Sequence, residues 1–180
     1  MFSGMSVRTE PVVHEALDVL ARVEELPVAV DLEAMAVIAN VWRAAQDART
    51  QLERRVLRPH GISWGGFSLL FNLWTSSPRP MGTRELASSI GCARPSVSSL
   101  CDTLERDGLV VRRGDTQDRR LVRVELTRAG RRLIEMLFPH FNAGESELVA
   151  GLSEDDRHQL AVLLRRLLHS IRSGDAEDAP

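Results

Sequence analysis

Between Gly114 and Gly130 the chain reads GDTQDRRLVRVELTRAG, with four arginines in seventeen residues directly after Arg112 and Arg113. A guanidinium is planar, permanently charged and carries forked donors that fit phosphate and other planar anions. The concentration is local: residues 1–78 sum to -2, residues 79–132 to +5 and residues 133–180 to -5, within a formal net charge of -2. A basic middle between acidic ends is the distribution expected of one surface that attracts a polyanion on a chain that otherwise does not. All 23 basic residues are arginine. No Walker lysine or Schiff-base lysine is therefore available, which removes several enzyme classes.

One stretch does have the form of a catalytic motif. Gly61, Ser63 and Gly65 in GISWG match G-x-S-x-G, with aspartates and histidines following in hydrolase order, so a serine hydrolase is the enzymatic alternative. A nucleophile elbow needs a strand before the serine and a parallel sheet beneath it, whereas Ser63 stands where a helix N-cap belongs. The expectation is that the chain is not an enzyme. Cys92 and Cys101 form neither a CxxC pair nor a disulfide framework and read as reduced structural thiols. His14, His60, His140, His158 and His169 have no ligand spacing at i, i+3 or i, i+4, so no metal and no cofactor is expected.

The elements that must position the arginines are mostly helical. At 180 residues, 43% hydrophobic and 27% charged, the chain has the size and composition of a globular domain. It has no apolar run of membrane-spanning length and no signal peptide at MFSGMSV, so the expectation is a cytoplasmic protein without membrane contact. Val13, Leu17, Leu20 and Val23 give a helix over 10–26, ended by Pro27, and a second opens after Asp31 with Met35, Ile38, Val41, Trp42 and Ala45 on one face. Ser63 caps a helix carrying Phe67, Leu70, Phe71 and Trp74. Thr83 is placed to cap a short helix to Ile90, Gly91 to turn, and Pro95 to open a helix with Val97, Leu100, Cys101 and Leu104 inward, closed at Asp107-Gly108. The pattern is helix, turn, helix.

After Gly108 the period falls to two. Residues 109–113 and 121–126 are strands of a hairpin with a Gly-Asp turn. Thr127 caps a further helix, in which Pro139 is expected to impose a kink or an end, and Ser153 with Asp156 opens a last one with Leu160, Leu163, Leu164, Leu167, Leu168 and Ile171 on one side. The tail SGDAEDAP has a disordered composition.

Over residues 86–130 the sequence LASSIGCARPSVSSLCDTLERDGLVVRRGDTQDRRLVRVELTRAG resembles the winged helix-turn-helix of the MarR family of bacterial transcription regulators. Asp118, Arg119 and Arg120, then Leu126, Thr127 and Gly130, match the family's wing pattern, and LERDGLVVR matches the end of its recognition helix. The implied fold is mainly α with a small β-hairpin wing, with N- and C-terminal dimerisation helices around the winged helix-turn-helix. It divides the chain into N-terminal helices over 1–58, a DNA-binding region over 59–130, C-terminal dimerisation helices over 131–173 and a disordered tail over 174–180. The implied function is a regulator, by family a repressor, that binds double-stranded DNA at a pseudo-palindromic site as a homodimer. The runner-up is a winged helix serving only as a protein-interaction module, which would not require the basic excess.

By this resemblance Arg120 is the wing-tip residue for the minor groove, held by Asp118, and Arg119, Arg112 and Arg113 meet phosphates. On the recognition helix the outward face presents Arg94, Ser96, Ser98, Ser99 and Thr103, with Arg94 the candidate for direct base contact. Members of the family also bind small aromatic effectors between the dimerisation helices and the winged domain. Trp42, His60, Trp64 and Phe67 are the candidates here, and core packing is the alternative use of their spacing. The long N-terminal helix resembles the urate-responsive branch, but Ser68 and Leu100 replace that branch's aspartate and arginine, which argues against urate.

Overall fold

The computed structural model describes residues 29–114 and 122–177. The expected helix over 10–26, and Asp118, Arg119 and Arg120 of the wing, lie outside the described residues. The chain divides into two units, 1–45 and 46–180, rather than after residue 58. The boundary falls earlier because Leu52 and Leu57 are already buried core residues of the second unit.

In the first unit the described residues open helix α1 (Leu32–Leu52). Asp31 caps it: its Oδ1 accepts the Ala34 N–H at 2.9 Å. Leu32, Met35, Val37, Ile38 and Trp42 are exposed on this stretch.

In the second unit the end of α1 passes into a π-helical turn (Glu53–Leu57) and a 3-10 turn (Arg58–His60), and the path is closed by Gly61 at φ 71. Pro59 accounts for the end of the regular path, since it cannot donate the bond to the Arg55 carbonyl that a continued α-helix would need. Helix α2 (Trp64–Ser76) follows, then a two-residue strand β1 (Met81–Gly82), α3 (Thr83–Ile90), α4 (Arg94–Arg106), β2 (Val110–Gly114), β3 (Val122–Leu126), α5 (Arg128–Leu148) and α6 (Glu154–Glu177). The strands form one antiparallel sheet in the order β1-β3-β2. β1 is too short for alternation to betray it; it pairs Met81 with Val124 and buries Met81.

The core gathers Phe67, Leu69, Leu70 and Leu73 of α2, Leu86 of α3, Val97, Cys101 and Leu104 of α4, Val110 and Val124 of the sheet, and Ile134, Leu137 and Phe141 of α5. An aromatic column joins α2 to α5: Phe67 stacks on Phe141 with centroids 4.2 Å apart, and Phe138 lies against Phe71 and Trp74 at 5.5 and 5.4 Å.

Three local expectations are corrected. Thr83 does not cap α3; it is the first helical residue, the cap position is Gly82, and no side chain fills the cap bond. Pro139 neither ends nor interrupts α5, which runs on to Leu148. Proline forfeits one backbone bond there, but Phe138 and Phe141 on either side are held by α2. Finally, α6 continues to Glu177 rather than giving way to a disordered tail after 173. Among the described residues no helix is long and apolar enough to cross a membrane.

Candidate nucleic-acid interface

The α3-turn-α4 unit is set by backbone before any side chain is considered. Gly91, at φ 72, reverses the chain after α3. Pro95 occupies the first turn of α4, where its missing N–H costs nothing. Val97, Cys101 and Leu104 anchor the inner face of α4, and burial pushes the Cys101 thiol above its ordinary pKa, so it stays a protonated core side chain. That anchoring turns Arg94, Ser96, Ser98, Ser99 and Thr103 outward, all exposed. Ser99 and Thr103 donate their hydroxyls back to Pro95 and Ser99 carbonyls at 3.2 and 3.1 Å, which leaves the oxygens as outward acceptors. The Arg94 side chain makes no hydrogen bond or ion pair with a described residue. Arg84, which the sequence reading passed over, is exposed in the first turn of α3. Its signal was its place at the start of the first helix of the pair, the helix that crosses a nucleic-acid backbone in such motifs.

The hairpin separates Arg112 from Arg113. In the register Arg112 faces Val124 and Arg113 faces Arg123. Because side chains alternate across a strand, Arg112 lies on the face of buried Val110 and Arg113 on the opposite one. Arg112 is consequently spent inside the domain. Its Nη2 donates to the Ser98 carbonyl at 2.8 Å, its Nη1 reaches Asp102 and lies 3.3 Å from Glu105, and its backbone N–H donates to Glu105 Oε1 at 2.9 Å. The hydrogen bond to Asp102 is the main cause that holds its pKa above the ordinary arginine value. The phosphate contact expected of Arg112 is thus replaced by a strut between β2 and α4. Period two alone would have separated the two arginines.

Arg113 and Arg123 stand directly opposite each other on the other face. Like charges across a strand pair are unfavourable, and Glu125 lies 3.6 Å from Arg113 Nε. Such a pair suits a surface that meets a polyanion. Arg123 was not among the expected site residues.

The wing's root is held by Thr127 and Gly130. Thr127 Oγ1 accepts the Gly130 N–H at 3.0 Å and donates to the Gly108 carbonyl at 2.7 Å, while its N–H donates to the Leu109 carbonyl at 3.1 Å. A Cβ on Gly130 would lie 2.0 Å from the Leu109 carbonyl oxygen. Only glycine admits this approach. The Leu-Thr-x-x-Gly pattern is therefore a joint between α4, β2, β3 and α5.

Within the second unit the effector candidates His60, Trp64 and Phe67 do not converge. Phe67 is core, 5% exposed against Phe141. Trp64 lines a cavity of about 640 Å³ with Arg49, Leu100, Ser96, Ser99 and Thr103, and the Arg49 guanidinium lies 5.9 Å from its ring centroid. His60 lines a different cavity. Trp42 belongs to the first unit, where it is 65% exposed. The serine of the hydrolase alternative is committed as an N-cap: Ser63 Oγ accepts the Gly66 N–H at 3.1 Å, and a 3-10 turn rather than a strand precedes it.

Comparison with known proteins agrees with this geometry. The MarR family pattern matches residues 62–122. The chain is 36% identical over 160 residues to YwaE of Bacillus subtilis, an uncharacterized HTH-type transcriptional regulator, covering 88% of this chain and 92% of that one. Among solved structures it is similar to the S. aureus MepR-DNA complex, at 26% identity, a TM-score of 0.67, and coverage of 73% of this chain and 96% of MepR. Bordetella bronchiseptica BpsR, whose DNA binding is regulated by 6-hydroxynicotinic acid, shares the fold at 22% identity and a TM-score of 0.67, covering 73% and 98%. With the helix pair and β2 inside the matched segment, and β3 and the wing's root directly after it, the chain belongs to the MarR family, and it is a transcriptional regulator and not an enzyme.

Proposed function

We propose that the protein is a repressor that binds a pseudo-palindromic duplex as a homodimer, with α4 in the major groove and the β2-β3 hairpin against the backbone and minor groove. The observation that carries this reading is the exposed Arg94, Ser96, Ser98, Ser99 and Thr103 face of α4 beside a hairpin that sets Arg113 opposite Arg123. Arg94 is the base-reading residue, Arg113 and Arg119 meet phosphates, and Arg120, positioned by Asp118, enters the minor groove. MepR, which shares this fold, was solved on DNA. The exposed leucines of α6 and the exposed apolar residues of the first unit supply dimerisation surface. A small aromatic ligand is placed in the Trp64 cavity, because Ser96, Ser99 and Thr103 line it from the same helix that reads DNA; an occupant there competes with that contact. BpsR, regulated by an aromatic acid, supports that reading.

The test is fluorescence anisotropy on duplex DNA from upstream of the protein's own coding region, against a scrambled duplex, over a salt series. Arg120→Ala should weaken binding to both duplexes and reduce the salt slope by about one. Arg94→Ala should cost about 1–3 kcal/mol at one base position per half-site. Equal, weak binding to both duplexes by the unmodified chain, insensitive to Arg120→Ala, would favour a protein-interaction module instead.

A further inference from the structure

A cavity of about 190 Å³ opens at one end of the sheet, and its lining includes Ser77 and Arg79 of the loop before β1, Val124 and Leu126 of β3, and Arg131 of α5. β3 runs from Val122, nearest the hairpin's tip, to Leu126 at its root. The cavity therefore lies at the end of the hairpin remote from the proposed groove contact.

Three donors from three elements border it. The Arg131 guanidinium donates through Nη2 to Ser77 Oγ, and Glu135 stands 3.8 Å from Nη1 with both side chains partly exposed. Ser77 Oγ is the acceptor of that bond, and its own hydrogen has no acceptor among the described residues. The third donor is a backbone N–H. Arg112 gives its N–H to Glu105 rather than to β3, so the ladder bonds of β2 fall on the Val111–Glu125 and Arg113–Arg123 pairs. The N–H groups of Val124 and Leu126 accordingly point to the β1 edge. β1 starts at Met81, opposite Val124, and Arg79, two residues earlier, gives its own N–H to the Ser76 carbonyl at 3.0 Å. Leu126 thus stands beyond the end of β1 with its N–H on the cavity side.

Sheet edges form concavities that suit anions, and a guanidinium beside a hydroxyl and an amide N–H is complementary to a phosphate group. The other charged groups of the lining are paired elsewhere: the Glu125 carboxylate lies 3.6 Å from Arg113 Nε, and Arg79 Nη2 lies 2.5 Å from Glu85 Oε1. Arg131 therefore sets the sign of the cavity.

We propose that this cavity binds a small phosphate-bearing solute, inorganic phosphate or a phosphomonoester, through Arg131, Ser77 and the Leu126 N–H. The site is separate from the DNA-facing surface and from the Trp64 cavity. An occupant cross-links the loop that leads into β1 and α3 to β3 and α5, the elements that meet at the wing's root.

Isothermal titration calorimetry of the full chain with sodium phosphate is the test, at an ionic strength held constant with sodium chloride and with sodium acetate as the planar anion. The expected result is a saturable heat with phosphate and none with acetate or chloride. Arg131→Gln should weaken binding about tenfold and Ser77→Ala about fivefold, as loss of one charge-assisted and one neutral hydrogen bond implies. Ser77→Asp supplies its own anion to Arg131 and should abolish the heat while the chain melts no lower than the parent. Arg94→Ala, on the DNA-facing helix, should leave it unchanged. Methyl phosphate separates the two forms of the ligand: retained affinity assigns the monoester, lost affinity the inorganic ion. No saturable phosphate heat, an equal heat with acetate, or a heat that survives in Ser77→Asp would each overturn the proposal. So would a heat lost in Arg94→Ala, which would place the ion on the DNA-facing surface.

Discussion

Arg112 and Arg113 are neighbours of identical type with opposite tasks, and the pleat of one strand is what divides them. Arg113 faces out beside Arg123; Arg112 turns inward and holds Ser98, Asp102 and Glu105 of α4. The clamp also answers an electrostatic problem. Asp102 and Glu105 sit three residues apart on a helix proposed to approach phosphates, and Arg112 compensates both. Arg112→Ala should therefore lower stability by about 1–2 kcal/mol and reduce DNA affinity by more than that loss explains, since two uncompensated carboxylates then face the duplex. Arg112→Lys should recover part of the charge but not the fork that bridges a carbonyl and a carboxylate. Thermal melts paired with anisotropy measure the two effects separately, and an affinity unchanged in the folded Ala variant would end the positioning role. The residue types of this site were legible in the sequence. Their roles were less so: alternation could have separated Arg112 from Arg113, both of which residue type alone sends to phosphates, whereas core packing of Phe67 was open in its spacing but its stack on Phe141 depends on a distant helix.

At the scale of elements, the signals that worked were local and chemical. Asp31, Ser63, Thr127 and Ser153 each accept the N–H three residues on, and each was readable as a cap from its type and place. Thr83 failed because Gly82 takes the cap position, and β1 was missed because two residues carry no period. Pro139 did not end its helix for a tertiary reason: the aromatic column between α2 and α5 holds the helix on both sides of the proline. The joint at Gly130 shows the same dependence on distant atoms, since its constraint is the carbonyl of Leu109, twenty-one residues earlier in the chain. Gly130→Ala should cost about 3 kcal/mol or more, because the carbonyl it meets is backbone and cannot rotate away. Gly151→Ala meets nothing within 4 Å and should stay within about 0.5 kcal/mol of the parent. Urea denaturation of the pair isolates the close approach from the general effect of adding a methyl group, and a Gly130→Ala chain as stable as Gly151→Ala would contradict the geometry.

Over the whole molecule, charge and apolar surface are unevenly spread in a way that single elements do not explain. The basic excess lies in residues 79–132, and the acidic C-terminal part carries α6, whose Leu160, Leu163, Leu168 and Ile171 are 44 to 51% exposed. Four large apolar side chains on one helix of a single chain are surface that water does not favour, and in the proposed homodimer a second copy covers it. The wide leucine stripe was visible in the sequence; which of its members the chain's own core leaves uncovered was not. Leu163→Glu with Leu168→Glu should convert a dimer into a monomer, measured by sedimentation equilibrium, with helical content retained because neither residue is buried in the core of its own chain. The DNA consequence follows from counting contacts. A dimer doubles the phosphates met, and since each neutralised phosphate contributes about -0.9 to the slope of log K against log salt, the monomeric variant should show about half the parent's slope. Its discrimination between the upstream and scrambled duplexes should fall with it, because a single recognition helix reads only one half-site. A monomeric variant that kept the parent's slope and its discrimination would mean that one chain binds alone, and the apolar face of α6 would then belong to some other partner.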